Sequence, residues 1–186
     1  MPTPAPWAQV DLIEAARNLD QEAWAEIYRR HAKQVYAYIY YRLGNQLAAE
    51  DLAADVFVKA LGGIKGYSWR GTPLLAWLYR IAHNVTVDYR KAVARQAERF
   101  AADGHDFEER LDRISATDAR ADMLAAVRQL TEDQQQVIIL RFYHGLSNAD
   151  VGRVVDKPEG AVKALQARGL RSLRRILQGQ ETERTA

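Results

Sequence analysis

Apolar residues recur three and four positions apart along most of this 186-residue chain, the spacing that gathers them on one face of an α-helix. The sequence offers neither the alternation of apolar and polar residues typical of strands nor the tight turns that join hairpins. Hydrophobic residues make up 48% of the chain and charged residues 27%, which is typical of folded soluble proteins. The sequence therefore predicts an all-α fold.

Capping residues divide the first half of the chain into four predicted helices. Asp20 is placed to cap the second helix and Gly44 to end it, and the glycine pair at 62–63 is placed to end the third. Thr72 and Pro73 then begin the fourth, with threonine as the cap and proline in the first turn. The predicted helices cover residues 10–18, 21–44, 47–61 and 73–99, with a glycine-rich loop at 62–72.

The same signals predict four helices in the second half, at residues 119–130, 132–145, 148–155 and 158–177. Thr131 and Ser147 each precede a predicted helix that their hydroxyls can cap, and Pro158 opens the last one. A short capped helix, a two-residue turn and a longer helix together form the helix-turn-helix pattern. We therefore expect this half to bind DNA.

Composition changes between the two groups of helices. Residues 103–122 hold seven acidic and three basic side chains, a local charge of −4 (3 − 7), and few apolar ones. A segment of this composition buries little apolar surface, so it predicts a flexible acidic linker. The predicted organisation is two small helical domains, residues 1–99 and 119–186, joined by a linker at residues 100–118.

One face of the last predicted helix is basic. Residues 157–177 hold six bases and one acid, and Arg168, Arg171 and Arg175 are spaced so that they share a face. The first turns of such a helix can enter the major groove, while later arginines contact phosphates. The alternative is a solvated basic face on an ordinary helical hairpin. The duplex-binding residues predicted here are Glu159, Gly160, Ala161, Lys163, Ala164, Arg168 and Arg171.

A second basic and aromatic region lies around the predicted loop and the fourth helix. Aromatic rings stack on exposed bases and cations pair with phosphates, a combination that suits single-stranded DNA. For Tyr67 and Trp69 the alternative is a role as core anchors that pin the loop. The strand-binding residues predicted here are Lys65, Tyr67, Trp69, Arg70, Arg80, His83, Asn84 and Arg90.

Several classes of function find no support in the sequence. The chain has no cysteine, and its four histidines lack the spacing of a metal site, so we predict no metal and no cofactor. No P-loop or supported catalytic triad is visible, which argues against an enzyme. No apolar run is long enough to span a bilayer, and residues 1–7 do not resemble a secretory signal. We therefore expect a cytoplasmic protein without membrane insertion.

Short sequence motifs in both halves form a recognisable series. The chain reads AEDL at 49–52, DVFVKA at 55–60 and AWLYRIAHN at 76–84, with an aspartate at 88 and an arginine at 90. Further on it reads LT at 130–131, GLS at 145–147 and GAVK at 160–163. With these motifs the chain resembles the extracytoplasmic-function (ECF) type of RNA polymerase sigma factor, over residues 10–177 and in the order that the family has. Gly169, in mid-helix, and the turn at 156–159 depart from the family's usual pattern.

The resemblance implies a function and a set of roles. It implies a factor that binds core RNA polymerase and directs promoter-specific initiation, with promoter DNA and an anti-sigma factor as further partners. The loop at 65–70 would hold a flipped base of the minus-ten element, Asn84 would hold the opened strand, and residues 159–168 would read the minus-thirty-five duplex. The polymerase-docking face would carry Asp51, Asp55, Phe57 and Lys59.

A different class of protein, a dimeric helix-turn-helix regulator acting at an operator, is the alternative. It would account for the pattern at 147–177 but leaves the segments at 49–60 and 76–84 without a role. A third possibility is an interaction protein that mimics only one of the domains. Transcription from a promoter with core polymerase alone distinguishes a sigma factor from the regulator.

Overall fold

A computed structural model describes residues 9–67, 73–102 and 118–185 of the chain. Over these ranges the backbone is helical apart from short connections and forms no strand, which confirms the all-α prediction. The α-helices are α1 (Gln9–Arg17), α2 (Gln21–Leu43), α3 (Gln46–Gly63), α4 (Leu74–Ala102), α5 (Asp118–Arg128), α6 (Glu132–Ile138), α7 (Asn148–Val155) and α8 (Glu159–Thr185). A 3-10 turn, Ile64–Gly66, follows α3, and a π turn, Ile139–Tyr143, continues α6.

Helices α1–α4 form an N-terminal bundle. α2 packs against both α3 and α4, these two pack on each other, and α1 covers one end of α2. Each large apolar side chain in this core contributes about 1.5–3 kcal/mol to folding. Its fully buried members include Leu12, Ile27, Val35, Ile39, Val56, Ile64, Leu74 and Leu78.

Helices α5–α8 form a C-terminal bundle in which α8 packs on α5, α6 and α7. Gly169 lies where α8 meets α6, and a Cβ added to it would stand 2.9 Å from Cγ1 of Ile138. The absent side chain therefore allows the close approach of the two helices. This contact accounts for a mid-helix glycine that costs about 1 kcal/mol relative to alanine.

Three of the predicted helix boundaries are confirmed in atomic detail. The Asp20 carboxylate accepts from the Ala23 N–H at 2.8 Å, and the Ser147 hydroxyl accepts from the Asp150 N–H at 3.0 Å. Gly44 ends α2 with a φ of 72°, a left-handed conformation that suits glycine. These local signals therefore set the entry angles of α2 and α7.

The prediction that the Thr131 side chain caps α6 is wrong. α6 begins directly after Thr131, but the hydroxyl makes no capping hydrogen bond, and the first turn is closed by the Thr131 carbonyl accepting from the Gln135 N–H at 2.8 Å. Thr72, the other predicted threonine cap, lies outside the described residues. Pro73 does stand before α4, with its carbonyl accepting from Ala76 at 2.9 Å.

Three helix ends differ from the sequence-based expectation. α3 continues through Gly63 because the residue that anchors this end is Ile64, which is fully buried. α6 changes to a π turn and stops before Gly145. α8 continues past 177 to Thr185, since the polar residues that follow are good helix formers and the lone Gly179 does not end an exposed helix.

The two bundles contact each other. α7 packs against α4, and α5 and the π turn approach α2. The linker predicted at 100–118 falls largely outside the described residues, although α4 extends to Ala102 and α5 begins at Asp118. The packing of α7 on α4 brings the helix-turn-helix next to the second predicted DNA-binding surface.

Candidate nucleic-acid interfaces

The turn between α7 and α8 holds α8 at a fixed angle. Asp156 has a φ of 54°, and its N–H and that of Lys157 both donate to the Gly152 carbonyl. A Cβ on Gly152 would stand 2.6 Å from the Lys157 carbonyl oxygen, so the turn closes only over a glycine. Val162 and Leu165 then fasten the inner face of α8 to the bundle.

The opposite face of α8 is open to solvent over its first turns. Val162 and Leu165 point inward, so the residues between and beside them point outward. The predicted duplex-binding residues therefore share one accessible side of the helix. Ala161 is half-buried, and the exposed ones are Glu159, Gly160, Lys163, Ala164, Arg168 and Arg171.

Charge on this face is partly paired within the helix. The Lys163 ammonium lies 2.8 Å from the Glu159 carboxylate, and both side chains are at least half exposed. An exposed pair of this kind contributes little to stability, so either group can exchange its partner for DNA. Farther along, a shallow basic groove is lined by Gln134, Arg168, Arg171, Ser172 and Arg175.

The predicted strand-binding residues divide into two groups in the structure. Arg80, Asn84 and Lys65 are exposed, whereas His83 and Arg90 are half-buried and face the C-terminal bundle. The structure thus leaves one part of the polar face of α4 accessible and engages another part between the bundles.

Tyr67 lies in the core, in the anchoring role that was its alternative interpretation. It is 4% exposed, its ring centroid is 5.0 Å from that of Trp77, and its carbonyl accepts a hydrogen bond from Arg17. Burial raises the pKa of the Tyr67 hydroxyl. Trp69 and Arg70, the other two loop residues predicted to bind DNA, lie outside the described residues.

A buried polar network joins the bundles around Arg42 of α2. Its Nη2 donates to Oε1 of Glu132 at 2.6 Å, and its Nη1 donates to the Tyr38 hydroxyl at 3.3 Å. The same Nη1 lies 3.3 Å from Nδ1 of His83, which also faces the amide nitrogen of Gln136. That amide donates to Tyr38 at 3.2 Å. Tyr38 and His83 thus each receive donors from both Arg42 and Gln136.

Arg90 extends this network along α4. It donates to Oε1 of Gln135 at 3.1 Å and to the carbonyl of Arg42, and it lies 3.6 Å from Glu132. Arg42, Gln135 and Gln136 are buried although they are polar or charged, whereas Glu132 at the edge of the network is 46% exposed. These four residues could not be predicted as interface residues, because polar side chains carry no hydrophobic period that marks them.

A second polar contact between the bundles is made by the π turn. The backbone N–H of His144 donates to the Ile139 carbonyl, and its Nδ1 lies 2.7 Å from the Tyr79 hydroxyl on α4. Tyr143 packs edge-on against Tyr41 with centroids 4.1 Å apart, and their hydroxyls are hydrogen-bonded. Nε2 of His144 is buried without a hydrogen-bond partner among the described residues.

Both interface histidines are held neutral. Burial and, to a lesser extent, the adjacent Arg42 guanidinium lower the pKa of His83 to about 4. Burial alone lowers the pKa of His144 to about 4. Burial also raises the pKa of Tyr79, so its hydroxyl keeps its proton and donates to His144. The contacts between the bundles therefore depend on uncharged imidazoles.

The residues predicted to dock on polymerase lie on α3. Asp51 is exposed, and the Asp55 carboxylate pairs with Lys59 at 2.5 Å. Phe57 is 9% exposed and packs edge-on against Tyr28, with centroids 4.9 Å apart. Apolar side chains stand in solvent on the same helix, namely Leu47, Val58 and Leu61. This face is accessible and combines carboxylates with apolar contacts.

The structure adds an apolar groove that the sequence analysis missed. Its volume is about 350 Å³, and it lies between α5, α6 and α8 with Tyr41 of α2 at one edge. The adjacent aromatic pair at 142–143, which lies inside the helix predicted at 132–145 and is exposed in the structure, is the one signal that pointed to it. The exposed members of its wall are Met123, Phe142, Tyr143 and Leu170.

Neither a metal-ligand cluster nor a membrane-spanning helix occurs among the described residues. Among these residues, histidine, aspartate and glutamate form no cluster that could hold a metal ion. No helix over the same ranges is long and apolar enough to cross a membrane.

Comparison with known proteins gives two family matches, one to each bundle. Residues 27–96 match Sigma-70 region 2, and residues 126–175 match Sigma-70 region 4. The chain is 37% identical over 172 residues to the ECF RNA polymerase sigma factor BldN of Streptomyces coelicolor, covering 90% of this chain and 65% of BldN. It is 28% identical over 180 residues to SigW of Bacillus subtilis, covering 89% of this chain and 94% of SigW.

A solved structure shares the fold. The sigma factor RpoE of Bartonella quintana, crystallised with the anti-sigma factor NepR, superposes with a TM-score of 0.71 at 22% identity. The match covers 83% of this chain and 96% of RpoE. The helical architecture of both bundles is therefore one that occurs in a known structure.

Proposed function

The chain belongs to the ECF sigma factors, and from this premise we propose that it binds core RNA polymerase and directs promoter-specific initiation of transcription. The observation that carries the proposal is the succession of a region 2 match and a region 4 match, each on its own bundle. We propose domain boundaries at 1–99 and 119–186, with 100–118 as the linker between them.

We propose that α8 reads the minus-thirty-five element as duplex. Support comes from the exposed side of its first turns and from the basic groove that follows, since phosphate contacts position such a helix while base edges specify the sequence. Lys163 leaves Glu159 to contact DNA, and Arg168 and Arg171 contact the backbone. Gly160, Ala161 and Ala164 keep the helix surface low enough to approach the groove.

We propose that α4 and the loop before it capture the opened minus-ten strand. Arg80, Asn84 and Lys65 are accessible for this in the structure described above, and His83 and Arg90 become accessible when the bundles separate. Tyr67 supports the loop from below, and Trp69 and Arg70 are assigned to the strand on sequence grounds. Melting is driven by this binding, because each base captured by the protein is one removed from the duplex.

We propose that the exposed face of α3 docks on core polymerase. Asp51, Asp55 and Lys59 supply charge. Phe57 holds α3 in place by packing on Tyr28 of α2. Charged groups around exposed apolar side chains are typical of a protein interface with a polar rim. Each DNA-reading domain then binds as one part of a linked assembly, which raises its effective concentration at the promoter.

The family is one of non-enzymatic initiation factors, and we propose no catalysis and no cofactor for this chain. We place its action in the cytoplasm, where core polymerase and promoter DNA are found. Because the RpoE neighbour was crystallised with an anti-sigma factor, we propose a partner of that kind here as well. The dimeric operator-binding regulator is not favoured, since it leaves the match at 27–96 without a function.

Runoff transcription with purified core polymerase tests the proposal. A pool of random upstream sequences is transcribed with and without the chain, and the enriched promoters are then transcribed singly. We expect discrete transcripts that need both the chain and a shared pair of spaced elements. Arg29→Ala, on the exposed side of α2, serves as the matched control for charge-removal variants. Transcription that requires a second sigma factor would contradict the proposal.

A further inference from the structure

The bundles of this chain meet through a polar interface that is built around neutral histidines. The packing within each bundle is apolar, and the contact between the bundles adds hydrogen bonds and an ion pair among Arg42, His83, Gln136 and Glu132 to apolar and aromatic packing such as that of Tyr41 on Tyr143. Interfaces with such a polar component are typical of domains that separate and rejoin. The interface therefore has the composition of a reversible contact.

His83 can hold its place only without a charge. Its Nδ1 faces two donors, Arg42 at 3.3 Å and the amide nitrogen of Gln136, so this nitrogen must keep its lone pair. A proton there would bring an imidazolium next to a buried guanidinium. The charged groups that act on His83 from the helices around it are Arg42, Glu132, Asp133 and Lys157.

His144 has the same requirement for a different reason. Its Nδ1 accepts from Tyr79, and its Nε2 is buried without a partner among the described residues, so a charged ring would be desolvated and unpaired. The titratable groups around it are tyrosines, namely Tyr38, Tyr79 and Tyr143, and Tyr143 in turn is hydrogen-bonded to Tyr41. On α7, the other element packed against α4, Asp150 and Arg153 pair with each other at 2.7 Å.

We propose that His83 and His144 form a proton-released latch, which holds the two bundles together at neutral pH and lets them separate when both rings are protonated. Closure engages His83 and Arg90, two residues that we assign to the opened DNA strand, so the latch also controls access to part of α4. That consequence rests on the proposed function. The latch itself is a property of the free chain.

The direction of the pH effect follows from linkage. Above pH 6.5 both histidines are neutral whether the bundles are closed or open, so closure does not depend on pH there. As pH falls below 6.5, the released imidazoles take up protons while the enclosed ones, with pKa values of about 4, do not. Opening is therefore favoured progressively as pH falls from 6.5 towards 4.

Fluorescence energy transfer between the bundles measures this directly. The chain has no cysteine, so Glu22→Cys on α2 and Arg174→Cys on α8 give two defined labelling sites in the full chain. Between pH 7.5 and pH 5 we expect the ratio of open to closed molecules to rise about 30-fold for each histidine, as pKa values of 6.5 in the open form and about 4 in the closed form require. His83→Asn with His144→Asn keeps an acceptor at each ring position but cannot be protonated, and we expect its transfer efficiency to stay constant.

His31→Asn is the matched control, because His31 is half-buried on α2 and contacts Gln34 of the same helix. We expect it to open with the wild-type pH profile. Circular dichroism over the same range must show unchanged helix content. Constant energy transfer in the wild type, a full transition in the double variant, or loss of helix at the same pH would each overturn the latch.

A second measurement does not depend on the variants folding. Histidine ring resonances of the wild type, followed by NMR, should show two side chains whose titration tracks the change in energy transfer, distinct from the ordinary titration of an exposed ring. Ordinary titrations of the His83 and His144 rings near pH 6.5 with the bundles still closed would overturn the latch. Neither experiment contains polymerase or DNA, so failure of the latch and failure of the sigma-factor assignment are separately visible.

Discussion

The two surfaces that we assign to promoter DNA differ in how much of the molecule they depend on. The first turns of α8 face solvent with their geometry set by α7 and the turn at Gly152. The polar face of α4 is only partly accessible, because His83 and Arg90 are engaged by the C-terminal bundle. On these assignments, the closed chain can read duplex, whereas full capture of a single strand requires separation of the bundles.

The largest expected effect is on duplex reading alone. The triple variant Lys163→Ala, Arg168→Ala and Arg171→Ala should lower affinity for minus-thirty-five duplex about 100-fold, at about 1 kcal/mol per lost contact. Fluorescence anisotropy over a salt series checks this, and the salt dependence should become shallower. Arg29→Ala should bind as the wild type does. Equal losses on duplex and on single-stranded DNA would erase the distinction between the surfaces.

The second largest effect is expected on the free energy of unfolding, through the turn that positions α8. Gly152→Ala forces a Cβ against the Lys157 carbonyl and should destabilise the chain by about 2 kcal/mol, the typical cost of overpacking. Gly160→Ala, where no atom lies within 4 Å of the added Cβ, should leave the unfolding free energy unchanged or slightly higher. Urea unfolding of both variants measures the two changes in unfolding free energy. Similar losses at both positions would mean that the turn does not set α8.

A smaller effect is expected on the other surface. Asn84→Ala should reduce promoter opening about tenfold, as for one lost hydrogen bond to a base, while polymerase affinity stays unchanged. Permanganate reactivity of unpaired thymines measures opening, and co-purification measures binding. Glu98→Gln, an exposed change farther along α4, is the control. A parallel fall in both readouts would indicate misfolding rather than a lost contact with the strand.

The smallest effect is expected on the equilibrium between the closed and the open arrangement of the bundles. Glu132→Gln weakens the exposed end of the Arg42 ion pair, whose carboxylate side chain is 46% exposed. Such a change is worth less than about 1 kcal/mol, so single-strand affinity should rise about twofold while duplex affinity stays constant. Gel-shift titrations with each DNA form measure the two affinities. A matched rise for duplex would show that closure restrains α8 too.

The helices themselves could be predicted from the sequence because their signals are local. Asp20 and Ser147 cap the helices that they precede, and Gly44 ends the one before it. Thr131 has the same residue type without the hydrogen bond, since the hydroxyl rotamer depends on surroundings that the sequence does not encode locally. The accessible face of α8 was predicted for the same local reason, namely its helical period.

The interface between the bundles could not be predicted. Arg42 and Glu132 are ninety positions apart, and an arginine in the last turn of an amphipathic helix is normally solvated. Gln135 and Gln136 are likewise buried only because α2 and α4 lie over them. The burial of Tyr67 could not be decided from the sequence, since an aromatic residue in a glycine-rich loop can either bind a base or anchor the loop in the core.

The buried contact at Gly169 is a place where a substitution could alter the promoter preference proposed for α8 without touching its DNA-facing residues. α8 runs for 27 residues, about 40 Å of rigid rod, and it rests on α6 through a contact that a single methyl group would force apart. A larger residue at position 169 would push α8 away from α6 at this contact and so change the tilt of the exposed first turns of α8. The helix would then meet the DNA groove at a new tilt, with every base-contacting side chain left as it was.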